Sequence, residues 1–330
     1  MKVFVLGKRG SIVHWTEDAI AGFRAAGHDV RLGLTRDPRL NLTIEQWLLA
    51  RSIGAPRAAL ICRAIRRFAP DLILAVGAYR MPPVILEQIA ALPGRPPLLG
   101  WVGDLFSAAE AHVAALFDAV AYTDSGLLAL HDELHLPTRA AYLPHAANPR
   151  LGHGGLALGG ADHPARVPRM VFVANPTRHR RAVVGQIRAP MTLYGPGWKS
   201  LSPTHHEINA RPVGIPELAK IYHSYLAVLN IRNEDHMLAG LNQRHFDPYV
   251  AGTPVLTDDQ PDLARCFDLG REVLMYRDAD ELNDLHVRLQ REPGYAAATG
   301  DRGRRRVLAE HTYAHRLDTL AKLAGWQPSE

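Results

Sequence analysis

The sequence predicts an α/β protein made of two Rossmann-like halves, each a parallel sheet covered by helices on both faces. Three observations predict it. Short runs rich in Val, Leu and Ile alternate with longer helical stretches across the 330 residues, the pattern of strands buried on both faces. The alternation breaks once, in a Gly- and Pro-rich segment after residue 145, and then resumes. The chain is also longer than one hydrophobic core usually supports.

In chain order, residues 2–6 (KVFVL) read as a buried strand closed by the turn Gly7-Lys8-Arg9-Gly10-Ser11. A helix is expected over 16–26, with Thr16 as N-cap and Gly27 as its stop. Residues 30–34 form a second strand. Residues 44–68 read as helix, interrupted near Gly54-Ala55-Pro56. Strands follow at 72–76, 98–102 and 119–122, then a helix over 125–134. The linker candidate runs from His145 through the Gly-rich stretch 152–160 to Pro168. Beyond it, strands are expected at 170–174, 191–194, 226–231 and 254–257, with a short one at 272–276. Helices are expected near 181–187, 215–224 and 246–251, and the remainder is mostly helical. This divides the chain into residues 1–148 and 149–330, with the last helix, 314–323, able to cross back onto the first half. Two such halves joined by a flexible segment are expected to face each other across a cleft, where such folds commonly bind ligands.

Composition narrows the functional classes. Cys62 and Cys266 lie far apart and build neither a disulfide framework nor a zinc cluster. No apolar stretch reaches bilayer-spanning length, and the N-terminus lacks a signal-like apolar core; a cytoplasmic protein is expected. The net charge of +5 suits an anionic ligand such as a nucleoside diphosphate, or peripheral contact with acidic lipid. The basic residues are spread along the chain without interleaved aromatics, which argues against nucleic acid. The run Arg302-Gly303-Arg304-Arg305-Arg306 reads as a solvated helix face that Gly303 breaks mildly.

The most informative segment is Asn242-Gln243-Arg244-His245-Phe246-Asp247-Pro248-Tyr249-Val250-Ala251-Gly252-Thr253-Pro254-Val255. It reads as a loop, a short helix carrying an acid, and a tight turn into a buried strand. An Arg before a helix N-terminus can pair with phosphate, aided by exposed amides and the helix dipole. An acid one turn later can accept hydrogen bonds from a ribose diol. The segment resembles the donor-site motif of GT-B glycosyltransferases, an acid followed by a small-residue helix and Gly-x-Pro-Val. The fuller pattern is similar to that of CgeB-like, spore-maturation-type group 1 enzymes. Pro261-Asp262-Leu263, Gly270-Arg271-Glu272-Val273, Glu281-Leu282 and His311-Thr312-Tyr313 follow in the family's order, and Tyr194-Gly195-Pro196-Gly197-Trp198 and Leu229-Asn230-Ile231 precede them. The resemblance spans about residues 170–320. It implies the GT-B fold and glycosyl transfer from a nucleotide sugar. The implied donor-binding residues are Arg244, Asp247, Asn242, Gly252 and Thr253, with Asp247 on the ribose. One departure concerns the Glu-x7-Glu pair of many relatives: Ala239 stands at the first acidic position and Asp247 at the second.

Other candidates follow from position. Arg178 and Arg180, in the loop 174–181 after the first strand of the second half, can neutralise a diphosphate, and Lys199 after the Tyr-Gly-Pro-Gly-Trp turn is a further phosphate candidate. In the first half, His14 and Asp104 each follow a strand of the same sheet. Either His14 assisted by Asp104, or Asp104 alone, can serve as the general base of an inverting displacement.

Gly7–Ser11 lacks the spacing of a Walker loop. His131 and His135 have metal-compatible spacing but read as exposed histidines. His205-His206 and Asp258-Asp259-Gln260-Pro261-Asp262 read as loops, so no metal and no cofactor beyond the nucleotide sugar is expected. The expected function is sugar transfer to a hydroxyl of a glycan, lipid-linked sugar, protein or small metabolite. The alternatives are a nucleotide-sugar epimerase of the same fold and a non-catalytic nucleotide-sugar-binding scaffold.

Overall fold

The computed structural model describes residues 1–8, 14–35, 55–152, 166–201 and 204–326. The turn at Gly10–Val13, the helical reading of 44–54 and most of the Gly-rich linker lie outside the described residues. The chain divides into two compact units, Met1–Pro144 with Tyr313–Glu330, and His145–Thr312.

The first unit holds six parallel strands in the order β2-β1-β3-β4-β5-β6. They are β1 (Lys2–Gly7), β2 (Asp29–Leu34), β3 (Leu72–Val76), β4 (Leu98–Val102), β5 (Ala119–Tyr122) and β6 (Arg139–Tyr142). β3, β4 and β5 are buried at every position, which is why they read as unbroken apolar runs. β6 escaped the sequence reading because it is a four-residue strand with no fully buried position.

The helix expected at 16–26 runs Trp15–Ala25, and His14 rather than Thr16 stands at its N-cap. Thr16 instead packs on β1: a Cβ built on Gly7 would fall 2.4 Å from its hydroxyl. Gly27 has φ +85° and ends the helix as expected. His131, expected at the surface, is 3% exposed, with Nδ1 2.9 Å from the Tyr122 hydroxyl. That hydroxyl also meets Tyr79 at 2.6 Å. A buried hydroxyl requires a partner, and the histidine supplies one.

The final helix, Tyr313–Leu323, belongs to the first unit, so the second unit ends short of the 149–330 span. The reason is aromatic packing. The Tyr313 ring lies edge-on to Phe23 at 6.3 Å and to Trp101 at 6.2 Å, and its Cβ sits where a side chain on Gly22 would be. Arg316 Nε donates to the Pro144 carbonyl at 2.8 Å.

The second unit is again a six-stranded parallel sheet, β12-β11-β10-β7-β8-β9. Its strands are β7 (Val167–Val173), β8 (Thr192–Tyr194), β9 (Glu207–Asn209), β10 (Tyr225–Asn230), β11 (Val255–Asp258) and β12 (Leu274–Tyr276). The order reverses between β7 and β10, the topological switch point where open α/β sheets form their ligand crevice. The helix expected at 181–187 runs Arg178–Val184, because the Thr177 hydroxyl caps it by accepting from the Arg180 N–H at 3.2 Å.

Gly303 does not break its helix. It lies inside Pro293–Glu310, where a Cβ would fall 2.2 Å from the Tyr249 ring, and a Cβ at Gly300 would fall 2.1 Å from the Gly252 carbonyl oxygen. The two glycines form a groove that seats the turn from Tyr249 to Pro254. Two of the neighbouring arginines are in ion pairs, Arg305 with Asp301 and Arg306 with Glu272 and Glu310. Neither cysteine is in a disulfide, and both are buried. No helix among the described residues is long and apolar enough to cross a membrane.

Candidate active site

The crevice of the second unit begins with Arg180, whose guanidinium ties the switch point together. Nε and Nη2 donate to the Ile231 carbonyl at 3.1 and 3.0 Å, and Nη1 donates to the Asn175 carbonyl at 3.0 Å. It is 4% exposed. Burial, then the charge of Arg244, push its pKa down to about 9, while Asp258 and Asp235 oppose the shift. The geometry makes Arg180 a brace between the ends of β7 and β10, not a side chain open to a diphosphate: among the described residues, every hydrogen bond of its guanidinium goes to a backbone carbonyl.

Asn230, the last residue of β10, is the hub of the site. Its Oδ1 accepts from Arg244 Nε at 3.0 Å and from Asn242 Nδ2 at 3.2 Å. Its Nδ2 faces the His245 ring, 2.9 Å from Nε2 and 3.3 Å from Nδ1. Thr257 Oγ1 and Gln260 Nε2 also meet His245 Nε2, at 3.0 and 3.3 Å. Burial pushes the His245 pKa down to about 3, with the charge of Arg244 contributing, so the ring is neutral. Asp258, at the end of β11, is pushed up by burial, against hydrogen bonds from the Arg232 N–H and from Gln260.

Arg244 is half-buried on the 3₁₀ turn Gln243–His245, which Asn242 caps by accepting from the Arg244 N–H at 2.9 Å. Only its Nε is hydrogen-bonded; among the described residues neither terminal nitrogen has a partner. Burial lowers its pKa, while Tyr222, Asp247 and Asp258 act to raise it.

Asp247 starts a single-turn helix, Asp247–Val250. That is shorter than expected and too short to carry much of a dipole. The carboxylate is buried, and Oδ1 accepts the Asn148 backbone N–H at 2.8 Å. The helix ends at Gly252, φ +63°, and the fully buried Thr253 donates its hydroxyl to the Tyr222 carbonyl. Gly252 and Thr253 therefore shape the turn rather than offer side-chain contacts.

Arg178 and Lys199 are exposed, and no hydrogen bond joins either to the Asn230 cluster. Lys199 lies on a turn hung from the loop after β7: Trp198 Nε1 donates to the Ala174 carbonyl at 2.7 Å, and Arg181 Nη2 to the Gly197 carbonyl at 3.3 Å.

In the first unit, His14 and Asp104 come to one region of the sheet's carboxyl edge. Asp104 is exposed beside Gly103, and a Cβ on Gly103 would fall 2.9 Å from the Trp15 ring, which adjoins His14. Trp15 packs on Trp101 at 5.0 Å. His14 Nδ1 lies 3.0 Å from Glu17 Oε2, so the carboxylate against its ring is Glu17, which the sequence reading did not single out. The i, i+3 spacing was the available signal. The sequence reading gave Tyr222 no role and took His245 and Asn230 only as parts of motifs. The one polar residue in YLAVLN was the signal there.

Residues 177–322 match the family model described as glycosyl transferase-like. No curated protein matches the sequence. Among solved structures, sucrose-phosphate synthase from Thermosynechococcus elongatus is similar at 14% identity and TM-score 0.67, over 98% of each chain. Anabaena HepE in complex with UDP-glucose is similar at 13% identity and TM-score 0.63, over 98% of this chain and 99% of that one. T4 phage BGT in complex with its UDP-glucose substrate is similar at 10% identity and TM-score 0.62, with the same coverage. The fold is GT-B. With the glycosyl transferase-like match over its second half, the chain is a glycosyltransferase.

Proposed function

We propose that the protein transfers a sugar from a nucleoside diphosphate sugar to an acceptor hydroxyl, in the manner of CgeB-like enzymes, with the donor bound by the second unit. The observation that carries this reading is Arg244: a half-buried guanidinium that, among the described residues, is held through Nε alone, with neither terminal nitrogen bonded, at the carboxyl edge of the sheet. A guanidinium so placed is a bidentate anion receptor, and it meets the charge that develops on the departing diphosphate. The UDP-glucose held by HepE and by T4 phage BGT makes UDP the first candidate. Arg178 and Lys199 are further phosphate contacts, and Asp247 sits one turn on, where a ribose diol would be recognised.

In the first unit, His14, with Nδ1 against Glu17, takes the proton of the acceptor hydroxyl, and Asp104, on the same sheet edge, offers a second carboxylate. The acceptor oxygen bonds to the anomeric carbon as the bond from that carbon to the diphosphate breaks. The reaction needs no metal, because the cationic side chains neutralise the leaving group. We place the protein in the cytoplasm, where its thiols stay reduced, with peripheral contact to acidic lipid compatible with its charge.

The test is a thermal-shift panel with UDP, GDP, dTDP, CMP and ADP on wild type and Arg244→Ala. At a hundred times its dissociation constant, a ligand stabilises the native state by about 2.7 kcal/mol. One nucleotide that shifts wild type and not the variant supports the donor site. Nucleotide binding with no turnover against any acceptor, unchanged in Asp104→Ala, would favour a scaffold instead.

A further inference from the structure

We infer that Asn230, oriented by a neutral His245, is a positioning residue that aims the Arg244 guanidinium and holds its terminal nitrogens toward the donor's phosphates. The inference rests on the donor reading of Arg244, and goes beyond it by naming what sets the arginine's geometry.

The link from Arg244 to Asn230 has a fixed polarity. A guanidinium only donates, so the atom 3.0 Å from Arg244 Nε must be the oxygen of Asn230. The Nδ2 group of Asn230 therefore faces the His245 ring, whose Nδ1 lies 3.1 Å from the Asn242 backbone N–H and 3.2 Å from the Asn242 carbonyl. In the tautomer whose Nδ1–H donates to that carbonyl, the Nε2 lone pair faces Asn230 at 2.9 Å. Neutral imidazole has that lone pair and imidazolium has none. His245 is 0% exposed, which favours the neutral form. Asn242 closes the arrangement from the other side. Its Nδ2 shares the Asn230 oxygen at 3.2 Å, and its own Oδ1 accepts the Arg244 backbone N–H at 2.9 Å. Backbone and side chain of Arg244 are thus both held by asparagine oxygens, and Asn230 is itself anchored by the Tyr276 hydroxyl donating to its carbonyl at 3.1 Å.

A neutral acceptor here has a functional meaning. A carboxylate in place of the Asn230 amide would fix Nε equally well but would neutralise the guanidinium. An amide orients the arginine and leaves its full charge for an external anion. Aiming matters because bidentate recognition of a phosphate depends on the plane of the fork.

The experiment uses the full chain with UDP as probe and two readouts. The first is the Nε–Hε cross-peak of Arg244 in arginine-labelled protein, assigned by its loss in Arg244→Ala. The second is the UDP dissociation constant. Asn230→Ala is expected to move the cross-peak and weaken UDP about tenfold, the effect of a lost hydrogen bond to a charged group. In the Arg244→Ala background the same change is expected to leave UDP binding unaltered. Asn230→Asp is expected to keep a hydrogen-bonded cross-peak and still weaken UDP, a split that loss of packing alone cannot give. An unmoved cross-peak in Asn230→Ala overturns the positioning role, as does an equal loss of UDP affinity with and without Arg244. If instead the cross-peak moves while Arg244→Ala binds UDP as tightly as wild type, the arginine is aimed but the donor reading falls. Should Asn230→Ala not fold, Asn230→Ser carries the same readouts.

Discussion

Arg244 Nε lies 3.0 Å from Asn230 Oδ1, and this is the one side-chain hydrogen bond the guanidinium makes among the described residues. Arg180, on the other side of the crevice, shows the opposite condition, with its guanidinium bonded to the Ile231 and Asn175 carbonyls. Two arginines near enough for Arg244 to lower the pKa of Arg180 therefore have different work. One braces the sheet edge, and the other keeps its terminal nitrogens unbonded among the described residues.

That contrast separates their variants. Arg244→Ala should lower nucleotide affinity about 10- to 100-fold, the range for a charge-assisted pair, with the melting temperature of the free protein little changed. Arg180→Ala should destabilise the unliganded protein by several kcal/mol, because buried carbonyls lose their donors. Calorimetric titration of UDP beside urea unfolding checks both. A folded, fully stable Arg180→Ala would contradict the brace.

The glycine groove gives a prediction of sign. Ala is better than Gly in a helix by about 1 kcal/mol, so Gly300→Ala would stabilise an exposed helix. Here the added Cβ falls 2.1 Å from the Gly252 carbonyl oxygen, a backbone atom. The net effect should be a loss of about 1–3 kcal/mol from overpacking, read as a lower urea midpoint with unchanged slope.

His286 is fully buried with neither ring nitrogen bonded among the described residues, and burial pushes its pKa down to about 4. Above pH 6.5 it is neutral both folded and unfolded and contributes no pH dependence. As pH falls from 6.5 toward 4, the unfolded chain takes up a proton that the folded chain refuses, so stability falls with pH. The loss from this one group reaches about 3 kcal/mol at its plateau. His286→Leu should flatten that part of the stability–pH curve and leave stability at pH 8 equal or higher. Urea titrations at pH 8, 6 and 5 measure it.

For the acceptor side, His14→Ala should lower kcat about 10²- to 10⁴-fold, the usual worth of a general base, while UDP affinity stays at the wild-type value. Glu17→Gln should give a smaller fall of the same kind, since Glu17 lies on the ring nitrogen of His14. Asp104→Ala tested beside them shows which carboxylate matters. If His14→Ala turns over at the wild-type rate while Asp104→Ala does not, the base is Asp104.

The sequence by itself determined the two parallel sheets. Strands such as β3, β4 and β5 are buried on both faces and so must be apolar throughout. It also determined the candidate donor segment, because a turn that needs Gly252 at positive φ and a short helix before β11 leave a local pattern. Edge strands β6 and β9 were invisible, being short and half-exposed. The roles of individual arginines were invisible too. Arg180 and Arg244 are alike in sequence, each beside a helix start, and only the fold decides that one meets backbone carbonyls and the other an asparagine oxygen. Tertiary structure likewise made Gly303 a seat for the Tyr249 ring, drew Tyr313 to Phe23 and Trp101, and put His131 under Tyr122. Periodicity records which face of an element is buried, whereas the partner of a polar side chain is set by residues distant in the chain, and local pattern carries no trace of them.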